Sequence, residues 1–422
     1  MSIITTLLSV SLIIINSSVY YLPKRMASAD AACSSANALL AAGNQAQAER
    51  LIRQYLGLYP NNQKLWFMHA CCMRSRDMVS RSRRVFAKVV SLGDKTPYGK
   101  CSKYVMMLDV NEGVKTNIIQ LHKLTDEIEG DILPRWMLAR QYYEHGMYDD
   151  AIRQYKLILK IWDPGPVLIH QILGNIFEIQ GRLDEALKER QLTVRLEQAS
   201  YSYYGLGTTL TKLGRYSEAN EAFARSMSYD QKSASGWAAW ANNMLIAGQV
   251  SNAVTKCEMA LKVDPNHCSA LYIYGKCLYE MGNYDDAIEM YKKVISLEPS
   301  AETYYVLAVT FNHAKKYDEA CDAFEKSAEI DQSSGRLWSD WAWTLLQKRE
   351  YDEAVGKCEK AVAIDPNDGY TWFYWGACLE RKGELEAALV KYKRGAELSP
   401  HEDYWLERYT DLEQRLRGNS EK

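Results

Sequence analysis

Charge of one sign is what this sequence most plainly lacks. Its 51 basic residues stand against 53 acidic ones, a formal net charge of −2, so no global field draws it to nucleic acid or to an acidic membrane. Proline is scarce, at ten residues in 422, which leaves long helices unobstructed. Few stretches alternate with the period of two that strands need. The ten cysteines form no CxxC pair and none of the spacings of a zinc ribbon or a disulfide-rich domain, which points to a reducing compartment. "HACC" at His69–Cys72 has no second ligand pair near it, so no metal is expected there. Catalytic signatures are missing too: HExxH, GxSxG, a P-loop lysine and a Gly-rich dinucleotide fingerprint. The chain therefore reads as a non-enzyme that carries no cofactor.

The longest apolar run, "IITTLLSVSLIIIN", is short for a membrane span. It lacks a basic stretch before it, while Lys24 and Arg25 follow it. Three readings of residues 1–28 stay open. They are an extension upstream of a true start at Met26, a membrane anchor over residues 3–20, or a signal peptide with "ASA" at Ala27–Ala29 as its cleavage site. As an anchor the segment would keep the rest of the chain cytoplasmic by the positive-inside rule, and membrane contact is expected only through it. Without the anchor a cytoplasmic location is expected.

What the sequence has in abundance is self-similarity. "KCEMALKVDPN" begins at Lys256 and "KCEKAVAIDPN" at Lys357, with seven of eleven positions identical. A single pattern returns every 33 or 34 residues: a large residue, a small one, Gly, Tyr, Ala, an aromatic and finally Pro. It is clearest at Leu271, Gly275, Gly282, Tyr284, Ala287, Tyr291 and Pro299. Two apolar stripes at i, i+3, i+4 and i+7 predict two short helices per unit. Gly275 and Ala287 keep side chains short where the helices approach. Gly282 ends the first helix in a left-handed conformation, and Pro299 stops the second. Neither helix can bury its stripe alone, so neighbours must stack.

In these residues the sequence resembles the tetratricopeptide repeat (TPR) family, over residues 29–401. The resemblance implies an all-α, right-handed α-solenoid of stacked antiparallel helix pairs. About eleven TPR units begin near Ala29, Gln63, Pro97, Ile132, Val167, Ser200, Ala234, Cys268, Ala301, Gly335 and Gly369. Residues 29–131 form divergent units, the second with Ser82 at a position usually held by a smaller residue. Residues 132–199 fit well. Residues 200–300 and 301–401 align without a gap, a three-unit block duplicated whole, so Cys257 and Cys358 read as inherited core residues. Residues 402–422 form a capping helix and tail, with Tyr404, Trp405, Tyr409, Leu412 and Leu416 on one face.

The family's first helices line a concave groove. Its pattern places there Trp136, Arg140, Tyr143 and Asn175, then Tyr201, Tyr204 and Asn242. Tyr272, Lys276, Tyr279, Tyr305, Asn312 and His313 follow, with Arg336, Asp340, Trp343, Tyr370, Phe373, Tyr374 and Arg381 after them. Aromatic side chains are costly to leave in water and are common interface anchors. The expectation is a protein–protein scaffold or adaptor whose Tyr/Trp-lined groove takes a peptide or helix of another protein. Membrane-tethered assembly factor and regulatory subunit of an enzyme complex are the alternatives. The family's carboxylate clamp is incomplete, with Ala238 and Gln171 where lysines would precede Asn242 and Asn175.

Overall fold

The computed structural model describes residues 28–41, 45–74, 78–108, 114–127, 132–161, 167–399, 401 and 403–420. Among these are 23 helices and no strand: eleven consecutive pairs and a final helix, Asp403–Ser420. Each of the eleven expected starts is the first residue of a first helix, from Ala29–Ala41 to Gly369–Lys382. The N-terminal apolar segment, with its anchor and signal readings, lies outside the described residues. Among the described residues no helix is long and apolar enough to cross a membrane.

Repeat 8 shows how the local sequence builds a pair. Its first helix, Cys268–Glu280, is opened by the His267 side chain, which accepts the Ala270 amide. Gly282 follows at φ 78°, where a side chain would be strained. The second helix, Tyr284–Leu297, has Asp285 and Asp286 in its first turn, next to the positive end of the helix dipole. Leu271, Ala287, Tyr291 and Val294 fill the space between the two helices. Gly275 is required because a Cβ there would lie 2.7 Å from the Tyr291 ring.

Two pairings recur along the array. In six repeats the fifth residue of the first helix sets its ring against a buried ring at position 24 of the same repeat, beginning with Phe67 and Phe86 of repeat 2 at 5.8 Å. The other pairs are Trp136 on Tyr155, Tyr204 on Phe223, Tyr272 on Tyr291, Tyr305 on Phe324 and Phe373 on Tyr392, with centroids 5.2–6.3 Å apart. Repeats 7 and 10 hold Cys257 and Cys358 at position 24, and Ala238 and Ser339 at position 5. These repeats stack two indoles, Trp237 on Trp240 and Trp338 on Trp341, a pairing that repeat 11 has as well in Trp372 on Trp375 under Lys391. A lysine ammonium lies over each pair, Lys256 at 4.0 Å from the Trp240 ring and Lys357 at 3.4 Å from that of Trp341. Such contacts stabilise by about 0.5–2 kcal/mol.

The linkers explain why repeats 5 and 8 have 33 residues where repeats 6, 7, 9 and 10 have 34. After four second helices an aspartate accepts the amide two residues on: Asp230 from Lys232, Asp264 from Asn266, Asp331 from Ser333 and Asp365 from Asn367. Such Asx turns need the short aspartate side chain. The 33-residue repeats carry Glu197 and Glu298 at this place, and their linkers are one residue shorter.

The chain divides into two compact units, Met1–Glu197 and Gln198–Lys422. In the first, a core including Phe67, Phe86, Leu121, Tyr155 and Leu173 runs through repeats 1 to 5. Ser82 is fully buried there, so serine serves the close approach, and repeat 3 is a regular pair, Pro97–Leu108 and Val114–Glu127. In the second unit the helix Asp403–Ser420 buries Trp405 and Leu412 against repeat 11. Its Arg408 pairs at 2.8 Å with Glu380, which also accepts the Tyr392 hydroxyl. Tyr404, expected on the buried face, is 61% exposed. Its ring lies tilted against that of Phe373, at 5.7 Å between centroids.

Candidate partner-binding face

The first helices place most of the expected residues at or near the surface, by differing means. In the second unit Tyr201, Tyr204 and Tyr370 are 46%, 36% and 51% exposed. Tyr272, Tyr279, Tyr305, Trp343, Phe373, Tyr374 and Asn242 are half-buried, while Lys276 and Arg336 are exposed. Phe373 is largely covered by the final helix, stacked on Trp405 at 5.3 Å. Tyr279 meets His313 and Tyr284 edge-on at 5.1 and 5.6 Å. Trp343 meets Tyr317 in the same way.

Asn312 departs from its expected place. It is 6% exposed and exchanges hydrogen bonds with the Thr344 hydroxyl, its Nδ2 donating at 2.8 Å and its Oδ1 accepting at 3.0 Å. A buried amide must satisfy both ends, and the neighbouring repeat does so. Asn312 therefore ties two first helices together.

In the first unit Trp136, Arg140 and Tyr143 are half-buried and Asn175 is exposed. Arg140 is engaged with Glu144 at 2.7 Å. Asn175 accepts a hydrogen bond at 2.5 Å from Arg190, which replaces the usual position-24 ring and pairs with buried Glu178.

Two tyrosines carry more than ring contacts. The Tyr272 hydroxyl donates to Glu302 of the next repeat at 2.8 Å. One repeat on, Tyr305 donates to Asp340 at 2.6 Å. Burial, reinforced by those carboxylates, pushes both phenol pKa values up. Burial also raises the Asp340 carboxyl above the usual carboxylate range, although Tyr305 and Arg336 oppose the shift. Beside Tyr272 a cleft of about 540 Å³ opens across the first helices of repeats 7 to 9, lined among others by Asn242, Ser269, Glu298, Glu302 and Thr303. It lies where the linker is one residue short and the first helices of repeats 8 and 9 touch less than those of repeats 7 and 8. Glu298 and Glu302 were not among the residues singled out from sequence. Glu302 stands at position 2 of its helix, a place the groove pattern includes, and its charge was the available sign.

Comparison with known proteins agrees with this architecture. Profiles described as tetratricopeptide repeat match residues 137–193 and 339–403, 200–233 and 30–54. The chain is a tetratricopeptide-repeat protein. A further profile, described as anaphase-promoting complex, cyclosome, subunit 3, matches residues 247–327 of this TPR protein. "Protein CTR9 homolog" of Arabidopsis thaliana is 22% identical over 241 residues, 54% of this chain and 21% of that protein. The chain thus spans about a fifth of that relative's length. Among solved structures, a TPR protein with an unusual peptide-binding site, YrrB, is 18% identical at TM-score 0.41, covering 45% of this chain and 99% of its own. A chain of the APC/C hetero-tetramer Cut9–Hcn1 is 12% identical at TM-score 0.43, covering 92% and 97%. TPR arrays are protein-interaction scaffolds, and their partners are proteins.

Proposed function

We propose that this TPR protein is a non-catalytic scaffold that holds a peptide or helical segment of a partner along the first helices of repeats 6 to 11. The reading is carried by the arrangement of Tyr272 and Tyr305. Each ring is braced from beneath by a buried ring, while its hydroxyl is directed at a carboxylate on the adjoining repeat. A braced aromatic loses little conformational freedom on binding, which favours it as an anchor. Tyr201, Tyr204 and Tyr370 extend the aromatic surface to either side.

The test is affinity purification with mass spectrometry, comparing the wild type with Tyr272→Ala/Tyr305→Ala/Trp343→Ala. Loss of specific partners is expected from the variant. Thermal melts check that it remains folded, and Tyr201→Ala/Tyr370→Ala, at exposed positions, gives a second measurement. Undiminished capture by both variants defeats the proposal.

A second reading, a subunit built into a larger assembly, is favoured by the profile match over residues 247–327. It predicts partners that co-purify at fixed stoichiometry and survive high salt.

A further inference from the structure

The first-helix face of repeats 8 to 10 has an electrostatic character that its ring content does not dictate. The cleft beside Tyr272 is lined by two carboxylates, Glu298 and Glu302, and by no lysine or arginine. Asn242, Ser269 and Thr303 supply neutral polar groups at its walls. About 540 Å³ is ample for a long side chain with its water. Glu302 already accepts one hydrogen bond, from Tyr272, and an ionised carboxylate has room for further donors.

One repeat further along, Asp340 is sunk until its side chain is 30% exposed. It accepts from Tyr305 and lies close enough to Tyr279 and Tyr374 to shift both phenols. Its nearest cation, Arg336, stays 3.7 Å away with a side chain 82% exposed. A carboxylate drawn out of water needs a close, well-oriented cation to offset the loss of hydration. A loose, solvated guanidinium is a poor one. Aromatic faces beside a carboxylate favour the same kind of guest, since a cation is attracted to both. Of the other exposed bases on this stretch, Lys276 lies over the Tyr272 ring at 5.7 Å and is not among the cleft-lining residues, while His313 packs against Tyr279 and also acts on Asp340.

We propose that the partner segment is basic, and that lysine or arginine side chains enter two consecutive subsites, Glu298/Glu302 with Tyr272 and Asp340 with Tyr305. This rests on the first-helix face being the binding face, and it adds the chemistry of what binds. Glu302 and Asp340 lie on successive first helices, so the bases are separated along the segment and not adjacent in one dipeptide. Arginine suits the Asp340 subsite better than lysine, because a planar guanidinium can stack on a ring and donate to a carboxylate together.

The experiment is selection from a random 12-residue phage-displayed library on the immobilised full chain, followed by fluorescence anisotropy with the selected peptides. Three proteins are used: the wild type, Glu302→Gln/Asp340→Asn, and Tyr272→Ala/Tyr305→Ala/Trp343→Ala. The first variant keeps shape and hydrogen-bond acceptors, and circular dichroism verifies its fold. Wild-type pools enriched in lysine and arginine are expected, with peptides that bind the Gln/Asn variant about tenfold more weakly. Glu302→Lys/Asp340→Lys should invert the selection toward acidic peptides. Pools without basic enrichment, or equal binding to the Gln/Asn variant, overturn the basic-partner assignment. If such peptides still fail on the triple alanine variant, the binding face stands and only its assigned chemistry falls. Failure to enrich any peptide that depends on the three aromatics overturns both.

Discussion

At the scale of the residue, three repeats set a glycine at position 8 of the first helix against a ring at position 24 of the second, while repeats 2, 4 and 9 fit alanine there, as Ala70, Ala139 and Ala308. Gly207, Gly275 and Gly376 face Phe223, Tyr291 and Tyr392, each with a ring atom within 3 Å of where a Cβ would stand. Ala241 and Ala342 instead face the smaller Cys257 and Cys358. Gly275→Ala is therefore expected to destabilise, because overpacking costs about 1–3 kcal/mol and exceeds the helix-propensity gain of about 0.5–1 kcal/mol. Gly356 is also helical, but nothing lies within 4 Å of its would-be Cβ. There the same substitution should stabilise by about that gain. Urea titration of the two variants reads opposite signs. Asp340 carries a second prediction. Its folded-state carboxyl binds protons more readily than the unfolded one, so its contribution to stability falls as pH rises from the unfolded carboxylate range through the raised folded value. Asp340→Asn removes that dependence. The variant should melt higher than the wild type at pH 7, and the difference should shrink below about pH 4, near the unfolded carboxylate value.

At the scale of the element, the sequence was most readable where glycine, proline and apolar spacing acted together. The eleven starts and the final helix were legible because each signal serves backbone geometry within a few residues of itself. Pairings across helices were less so. Asn312 occupies a position that faces outward by spacing alone, yet Thr344 on the next first helix makes burial the better outcome. Tyr404 failed for the converse reason, since Trp405 beside it took the buried place. The carboxylates of the cleft were hidden because aromatic content dominated the reading of that face. Inter-repeat linkers hold a further regularity. The tryptophan at position 4 donates its indole N–H to the carbonyl six residues earlier: Trp66 to Pro60, Trp237 to Gln231, Trp338 to Gln332 and Trp372 to Pro366. Each bond fastens a linker to the helix it feeds. Trp338→Phe should cost about 1 kcal/mol for the lost hydrogen bond beyond its packing change. Increased hydrogen exchange confined to the 331–336 backbone is the accompanying measurement.

At the scale of the whole molecule, each unit holds its own core. In Gln198–Lys422 those cores are joined by rungs between successive repeats, Asp285 to Lys316, Asp318 to Lys348 and Asp352 to Lys382, at 2.6–2.8 Å. The rungs are exposed, so each contributes little, while stacked apolar faces supply most of the cohesion. Residues 198–422 expressed alone should therefore fold, with helical circular dichroism and a cooperative urea transition. A fragment without cooperative unfolding would show that the division at residue 197 does not separate independent folding units.

The matched indole stacks of repeats 7 and 10 carry a cost during folding. Trp237–Trp240 under Lys256 and Trp338–Trp341 under Lys357 offer similar docking faces, and Trp372–Trp375 under Lys391 in repeat 11 adds a third. A nascent chain thus has more than one acceptable answer for where a helix pair should settle, and exchange of repeats 7 and 10 is wrong by three repeats. In crowded refolding the same ambiguity invites exchange of blocks between molecules. The residues that differ between the two copies, such as Asn220 beside Trp240 and Cys321 at the equivalent place, are what allow the chain to tell its own halves apart.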